Sequence, residues 1–316
     1  MLRERVDIAV RPSRLPDQDW TVAGWFSAPP KRSDTLLILI HGATYTHAYW
    51  DMPFKPEVHS AVQWAYENDI ATLNIDRLGC GESSHPPGKL LTVQVQAEAV
   101  RQIVERIRKD GIKGERFSKI VLVGHSLGSL TSGYAQATWN LADGVVLTGI
   151  LGASPYKLTA ESAKMIAKSY HLARTDPLMA DRAHLYDDDY HATSVEGRVE
   201  RYMCMPPVDP QMAKDDMAIP GTMTTGEMET CWIASNAVET VGGPVLVQVG
   251  EYDGIFFNPK VETNAQRAWD YSVANTPANF TTAPLYKDTS HNLAQHPNAR
   301  EGYEHMLAWL RENGLV

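Results

Sequence analysis

The string GHSLG at residues 124–128 places a serine between two glycines, and this serine is the side chain most clearly suited to chemistry. It follows the apolar run KIVLV and precedes LGSLTSGYAQATW, which has the character of a helix. A strand that turns sharply into a helix holds such a serine in a strained conformation and lifts its hydroxyl above the sheet. The same turn aims the backbone N–H of Leu127 at the position where an oxyanion would form. Ser126 is therefore a candidate nucleophile, and the alternative is an ordinary loop between a strand and a helix.

The elements around Ser126 alternate between strands and helices. The segments 92–111, 127–139, 258–272 and 299–313 show helical features, and the opening segments 6–10 and 21–29 pair as an antiparallel edge. This alternation predicts an α/β fold with a mostly parallel sheet covered by helices on both faces. The apolar runs that predict its strands are TLLILIHG (35–42), IATLNIDRLGCGES (70–83), KIVLVGHS (119–126), DGVVLTGILGAS (143–154), GPVLVQVGEYD (243–253) and the weaker FTTAPLYKDTSH (280–291).

Residues 157–242 interrupt this rhythm. The stretch contains the helical pattern LTAESAKMIAKSYHLA, is rich in Met, Asp and Tyr, and shows no clear buried strand. It is too long for a connecting loop. The sequence therefore predicts a core formed by residues 1–156 and 243–316, with a mainly helical lobe inserted at 157–242.

Composition excludes several classes of protein. Of the 316 residues, 43% are hydrophobic and 21% are charged, as in an ordinary globular protein. The net charge of −9 argues against nucleic acid or an anionic membrane as the main partner. Three cysteines without C-x-x-C spacing indicate neither a disulfide framework nor a zinc ribbon. With no signal peptide and no apolar run near the length of a membrane helix, a cytoplasmic protein is expected.

From about residue 6 to its end the chain resembles the α/β-hydrolase superfamily. Four separated matches carry the resemblance: GHSLG, the loop His41-Gly42-Ala43-Thr44 after an apolar run, the pattern Gly250-x-x-Asp253, and the string Asp-Thr-Ser-His that ends in His291. The resemblance implies an eight-stranded, mostly parallel sheet. It also implies that the inserted lobe is a cap over the active site.

The resemblance assigns roles to these residues. Ser126 is the nucleophile, His291 the base and Asp253 the orienting acid, in the chain order typical of this family. An unaided serine hydroxyl is a poor nucleophile, so the histidine must accept its proton while the aspartate fixes the imidazole tautomer. The family places a second oxyanion donor on the backbone N–H of Ala43, with Thr44 as the alternative.

Three other residues could fill the roles of acid or base. Glu251 and Asp288 are alternative acids, and His296 is an alternative base, but the family pattern favours Asp253 and His291. His41 is interpreted as a residue that shapes its loop.

Two other motifs have a structural and a functional interpretation. The stretch 76–83, DRLGCGES, contains Gly-x-Gly but lacks the third glycine of a dinucleotide site, and such a loop is a common structural turn in the family. The stretch 184–191, HLYDDDYH, could bind a metal, but a solvated acidic turn is favoured. No cofactor and no metal are predicted.

The predicted activity is hydrolysis of a carboxylic ester or lactone of a small, largely apolar substrate. Carbon–carbon bond hydrolysis or thioester hydrolysis is the alternative, because these reactions use the same three residues. A cofactor-free haloperoxidase, a hydroxynitrile lyase or a non-catalytic binding protein is disfavoured. Trp232, Tyr190 and Met203 are the predicted substrate contacts. The partner is a small molecule, and the sequence leaves open whether the chain forms a homodimer.

Overall fold

The computed structural model describes residues 1–153, 169–194, 198, 208–255 and 265–316. Met203, the N-terminal part of the predicted helix at 258–272 and most of the helical pattern at 158–173 lie outside these ranges. The strands are β1 Glu4–Val10, β2 Trp20–Ser27, β3 Thr35–Ile40, β4 Ala71–Ile75, β5 Lys119–His125, β6 Gly144–Thr148, β7 Tyr170–Leu172, β8 Tyr190–Thr193, β9 Met223–Thr224, β10 Val245–Gln248, β11 Gly250–Tyr252, β12 Phe280–Thr282 and β13 Tyr286–Ser290. The α-helices are α1 Pro56–His59, α2 Ala61–Glu67, α3 Val93–Asp110, α4 Leu127–Trp139, α5 Pro210–Met217, α6 Thr225–Val238, α7 Ala265–Asn275 and α8 Ala299–Glu312.

Eight strands form the main sheet, in the order β1-β2-β4-β3-β5-β6-β10-β12. The pairs β1–β2 and β2–β4 are antiparallel, and the remaining pairs are parallel. In the middle of the sheet Ile38 lies opposite Leu73 on one side and Leu122 on the other. The predicted eight-stranded, mostly parallel sheet is confirmed.

Strand β3 shows why the central runs are continuously apolar. Leu36, Ile38 and Ile40 pack in one buried cluster with α3, α4 and α6, whereas Leu37 and Leu39 pack in a second cluster with α2 and α8. Successive side chains of a strand point to opposite faces, so a strand covered on both faces buries all of its side chains and is mainly apolar. Helices on both faces were predicted, and they are present.

The segment 280–291 differs from its prediction as one strand. It divides into β12, which joins the main sheet beside β10, and β13, which pairs in parallel with β11. Pro284 lies between the two halves and has no N–H to donate to a ladder. The second half leads directly to His291.

The described part of 157–242 contains strands that the sequence analysis did not predict. Strands β7, β8 and β9 form a small antiparallel sheet, and β7 occupies the end of the pattern expected to be helical. Strands of two to four residues are too short to show an alternating pattern. Helix α6, at the end of this segment, packs Cys231, Ala234 and Val238 into the same cluster as α3 and α4. The extent of the cap stays a prediction.

In the described part of the chain no helix combines the length and the apolar character needed to cross a membrane.

Candidate active site

Ser126 occupies the turn between β5 and α4. Its backbone has φ 52° and ψ −115°, a region that non-glycine residues rarely adopt, and its N–H donates to the carbonyl of Thr148 at 2.9 Å. A β-carbon on Gly128 would lie 2.2 Å from the carbonyl oxygen of Ile40, and one on Gly124 would lie 2.5 Å from that of Gly128. The two glycines are therefore required by close backbone contacts, and the turn has the strained form that the sequence predicts.

The structure brings the three predicted residues into one hydrogen-bonded chain. Nε2 of His291 lies 2.8 Å from Oγ of Ser126, and Nδ1 lies 2.8 Å from Oδ2 of Asp253. Oδ1 of the same carboxylate accepts the N–H of Ile255 at 2.9 Å. His291 is 1% exposed and Asp253 is fully buried. With the Nδ1 proton directed at the carboxylate, the Nε2 lone pair faces the serine hydroxyl.

The rival acids and the rival base have other contacts. Glu251 accepts the N–H of Asp288 at 3.4 Å, and Asp288 is exposed. His296 is fully buried and accepts the backbone N–H of Ser290 at 3.1 Å through Nε2. Burial, aided by the nearby His59, lowers the pKa of His296 to about 4. His296 thus holds the residue before His291 in place.

Two backbone N–H groups remain available beside Ser126. Within the described residues, neither Ala43 nor Leu127 donates its N–H to an acceptor. A β-carbon on Gly42 would lie 3.2 Å from that of Ser126, so the loop that carries Ala43 lies against the nucleophile. The N–H of Thr44, by contrast, donates to the carbonyl of Thr222 at 3.1 Å. This bond takes Thr44 out of consideration as an oxyanion donor and leaves Ala43 and Leu127.

His41 shapes its loop, in agreement with its sequence-based interpretation. It is fully buried, its Nδ1 lies 2.8 Å from the carbonyl oxygen of Gly42, and its Nε2 accepts the N–H of Arg77 at 3.1 Å. Burial first, and the charge of Arg77 second, lower the pKa of His41 to about 3. The ring is therefore neutral and fixed as one tautomer.

A buried polar network that the sequence analysis missed lies under His291. Asn292 donates through Nδ2 to the hydroxyl of Tyr45 at 2.5 Å and to Oε1 of Gln295 at 2.8 Å. Its Oδ1 lies 3.3 Å from Nε2 of His125, the residue before the nucleophile. Burial, with the neighbouring His291, holds the pKa of His125 well below its usual value. The loop of the base and the turn of the nucleophile are therefore tied together by neutral groups.

The network continues into residues of the predicted cap. Gln295 donates to Asp216 on α5, and Asp216 pairs with Arg198 at 2.9 Å. Arg198 also donates to the carbonyl of Thr44, and the hydroxyl of Thr193 donates to that of Thr44 at 2.6 Å. Residues of the predicted cap thus contact both the loop before Tyr45 and the loop after His291.

The predicted substrate contacts are placed as follows. Tyr190 is 1% exposed, and its hydroxyl donates to the carbonyl of Pro86 at 2.6 Å. Trp232 is half-buried on α6, and its indole N–H donates to the carbonyl of Glu229 at 2.8 Å in the same helix. Met203 lies outside the described residues. The contacts of Tyr190 and Trp232 stabilise the protein locally, and their role as substrate contacts stays a prediction.

The two other motifs form turns. Oδ2 of Asp76 accepts the N–H of Glu82 at 2.8 Å and would lie 2.0 Å from a β-carbon on Gly81. Side-chain oxygens of Asp187 accept the backbone N–H groups of Gly88 at 3.0 Å and Asp189 at 2.9 Å. Among the described residues, no group of three or more His, Cys, Asp or Glu side chains is arranged to hold a metal ion.

Comparison with known proteins gives the same fold. The model of the family described as "Alpha/beta hydrolase family" matches residues 37–300. An esterase from Thermogutta terrifontis (thermophilic) shares 16% identity and a TM-score of 0.63, covering 98% of this chain and 99% of that one. A bromoperoxidase from Bacillus anthracis shares 15% identity and a TM-score of 0.64, covering 97% and 100%. No curated protein matches the sequence.

Proposed function

Because the chain belongs to the α/β-hydrolase family, we propose that it is a serine hydrolase that cleaves a carboxylic ester or lactone of a small, largely apolar substrate. The observation that carries the proposal is the hydrogen-bonded chain from Ser126 through His291 to Asp253, with 2.8 Å at each step. The strained backbone of Ser126 adds support, since residues held in rarely populated backbone conformations cluster at functional sites.

In the acylation step Oγ of Ser126 attacks the carbonyl carbon of the ester while Nε2 of His291 accepts the hydroxyl proton. Asp253 accepts the Nδ1 proton in a hydrogen bond and stabilises the imidazolium without becoming protonated. The N–H groups of Ala43 and Leu127 bind the oxyanion, and losing one such donor typically costs about 100- to 1,000-fold in rate.

The tetrahedral intermediate then collapses to an acyl-enzyme. His291 returns the proton to the leaving alkoxide, and a water molecule enters on the acyl carbon with the same histidine as its base. A second oxyanion forms in the same place, and its collapse releases the acid and restores Ser126. For a lactone, the alkoxide and the acyl group remain in one molecule throughout.

The test begins with covalent labelling. An aryl alkylphosphonate should label Ser126 with one equivalent per chain, as mass spectrometry of the peptide would show. Ser126→Ala should be neither labelled nor active, because nothing else at the turn carries a hydroxyl in that position. Ser129→Ala is the matched control, since Ser129 lies in α4, directly after the turn, and donates its hydroxyl to the carbonyl of Thr148 at 2.9 Å.

The substrate class is tested by activity on p-nitrophenyl esters of graded acyl length, on lactones of graded ring size, and on an acyl thioester and a vinylogous 1,5-diketone. Highest kcat/KM on an ester or lactone supports the proposal. Highest kcat/KM on the thioester or the diketone would replace it with the corresponding alternative. A folded wild-type protein that the phosphonate fails to label would overturn the serine mechanism itself.

A further inference from the structure

The peptide unit between Gly42 and Ala43 carries one of the two proposed oxyanion donors, and Arg77 holds its other end. We propose that Arg77 is a positioning residue of the oxyanion hole, which fixes the Gly42 carbonyl and so aims the Ala43 N–H at the substrate. This inference rests on the proposed function.

The geometry of the peptide supplies the first step. A peptide bond is planar, and in the trans form its C=O and N–H point in opposite directions. The oxygen of Gly42 accepts a hydrogen bond from Nη2 of Arg77 at 3.2 Å and lies 2.8 Å from Nδ1 of His41. Two donors therefore fix the direction of this carbonyl. The N–H of Ala43, on the opposite edge of the same plane, is left without an acceptor among the described residues.

Arg77 holds the loop at a second carbonyl as well. Its Nε donates to the oxygen of His41 at 3.2 Å, so one guanidinium spans two successive carbonyl groups. The backbone N–H of Arg77 donates to Nε2 of His41, which places the ring proton on Nδ1, opposite the Gly42 oxygen. Arg77 thus contributes one donor directly and fixes the tautomer that contributes the other.

The electrostatics of the cluster point to a directional role. Arg77 is 2% exposed, and its Nη1 forms an ion pair with Glu227, which is 1% exposed. Glu227 also accepts from Gln96 at 2.8 Å and from the N–H of Thr224 at 2.9 Å. A buried ion pair is often no more stabilising than well-packed apolar side chains, so a gain in stability does not explain the Arg77–Glu227 pair. The guanidinium of arginine presents several N–H donors in one plane, and neither an apolar side chain nor a lysine does so.

A cation against the Gly42 carbonyl also strengthens the opposite donor. Hydrogen bonds in a chain polarise one another, and the effect is larger in a buried, low-dielectric setting. Withdrawing electron density at the oxygen of Gly42 makes the Ala43 N–H a better donor to a developing negative charge. The gain appears in the transition state, where that charge forms, more than in the bound substrate.

The primary test is Arg77→Lys, which keeps a positive charge for Glu227 but loses the fork. Misdirection of the Ala43 N–H should lower kcat about 10- to 100-fold, which is a smaller loss than removal of an oxyanion donor causes. KM should change little. Affinity for butylboronic acid, whose adduct with Ser126 carries a negative tetrahedral centre, should fall in parallel with kcat. The pH at which kcat is half-maximal should not move, because His291 and Asp253 are untouched.

A second variant covers the case in which Arg77→Lys fails to fold. Arg77→Met combined with Glu227→Gln removes both charges together, so that no buried ion is left without its partner. It should show the same loss in kcat and in boronate affinity. Gln96→Leu is the stability control, since Gln96 belongs to the same cluster through Glu227 and contacts neither Gly42 nor His41 in the described hydrogen bonds.

The outcomes separate the two proposals. A wild-type protein that the phosphonate does not label defeats the proposed function. A labelled wild-type protein, with kcat and boronate affinity unchanged in the Arg77 variants, defeats the role of Arg77 alone. The role of Arg77 would also be overturned if Gln96→Leu, at the same thermal stability as the Arg77 variants, lost as much kcat as they do. The loss of kcat would then follow from lower stability and not from the orientation of the peptide.

Discussion

Replacing Asp253 by asparagine should reduce kcat by about 10⁴-fold while leaving the fold intact. The substitution keeps the size and shape of the side chain at a fully buried position. What changes is that one carboxylate oxygen becomes an NH2 group, which donates where Asp253 accepts.

Two contacts of the carboxylate within the described residues decide which way the amide is oriented. Oδ1 accepts the N–H of Ile255 at 2.9 Å, and Oδ2 lies 2.8 Å from Nδ1 of His291. If the amide NH2 faced Ile255, two donors would meet, and an unsatisfied buried group costs about 1–3 kcal/mol. The amide oxygen therefore stays on Ile255, and the NH2 group donates to Nδ1 of His291.

That orientation reverses the histidine tautomer. Nδ1 becomes the acceptor and the ring proton moves to Nε2, so that Nε2 presents a proton to Ser126 in place of a lone pair. The base is then unable to accept the serine proton, and the stabilising charge on the imidazolium is also lost. A 10⁴-fold loss in kcat corresponds to about 5.4 kcal/mol of transition-state stabilisation.

The assay is steady-state hydrolysis of a p-nitrophenyl ester by Asp253→Asn, with thermal unfolding to check the fold. Glu251→Gln is the matched control, because it makes the same chemical change at the rival acid, whose carboxylate accepts only a 3.4 Å backbone contact from Asp288 among its described hydrogen bonds. Its kcat should stay close to that of the wild type. A well-folded Asp253→Asn with kcat within tenfold of the wild type would refute the assignment, as would a large loss in Glu251→Gln alone.

Three further predictions concern stability and one predicted substrate contact. Gly128→Ala should lower the melting temperature sharply, since its β-carbon would lie 2.2 Å from the Ile40 oxygen and overpacking costs about 1–3 kcal/mol or more; an unchanged melting temperature would contradict the close contact. Burial lowers the pKa of His41 to about 3 and that of His296 to about 4, whereas both titrate near 6.5 when unfolded. Between pH 6.5 and pH 4 the unfolded chain therefore binds more protons than the folded chain. As the pH falls through this range, the free energy of unfolding should fall by about 1.4 kcal/mol per pH unit for each histidine. Urea unfolding at pH 7 and pH 5 measures this difference, and equal stabilities at the two pH values would contradict it. Tyr190→Phe should cost about 1 kcal/mol in unfolding free energy, from the bond to Pro86. A selective loss of kcat/KM in this variant would support Tyr190 as a substrate contact, and an unchanged kcat/KM would count against that role.

Features that depend on neighbouring residues were predictable from the sequence. A strand buried on both faces is mainly apolar, so the central strands β3 and β5 are visible in the sequence as apolar runs. The turn at Ser126 is visible because its backbone contacts exclude a β-carbon on Gly124 and Gly128. The predicted helix at 92–111 likewise ends at Gly111, where the glycine adopts φ 77°.

Features of the described part of the predicted cap were harder to predict, because they consist of short pieces held by distant contacts. Strands β7 to β9 contain too few residues for a pattern, and they are strands because they pair with one another. The same holds for Thr44, whose N–H was a candidate donor until the fold placed the carbonyl of Thr222 opposite it. Nothing local to either residue indicates this bond.

The sequence by itself determined the sheet and the strained turn at Ser126, because each depends on a pattern within a few positions, and its resemblance to the α/β-hydrolases identified the residues proposed as nucleophile, base and acid. Tertiary structure decided how the candidate site is held. Arg77 and Glu227 are 150 positions apart, and Asn292 and His125 are 167 apart. Such buried polar contacts depend on the path of the whole chain in the fold. The sequence around a polar side chain does not indicate which distant residue will be its hydrogen-bond partner.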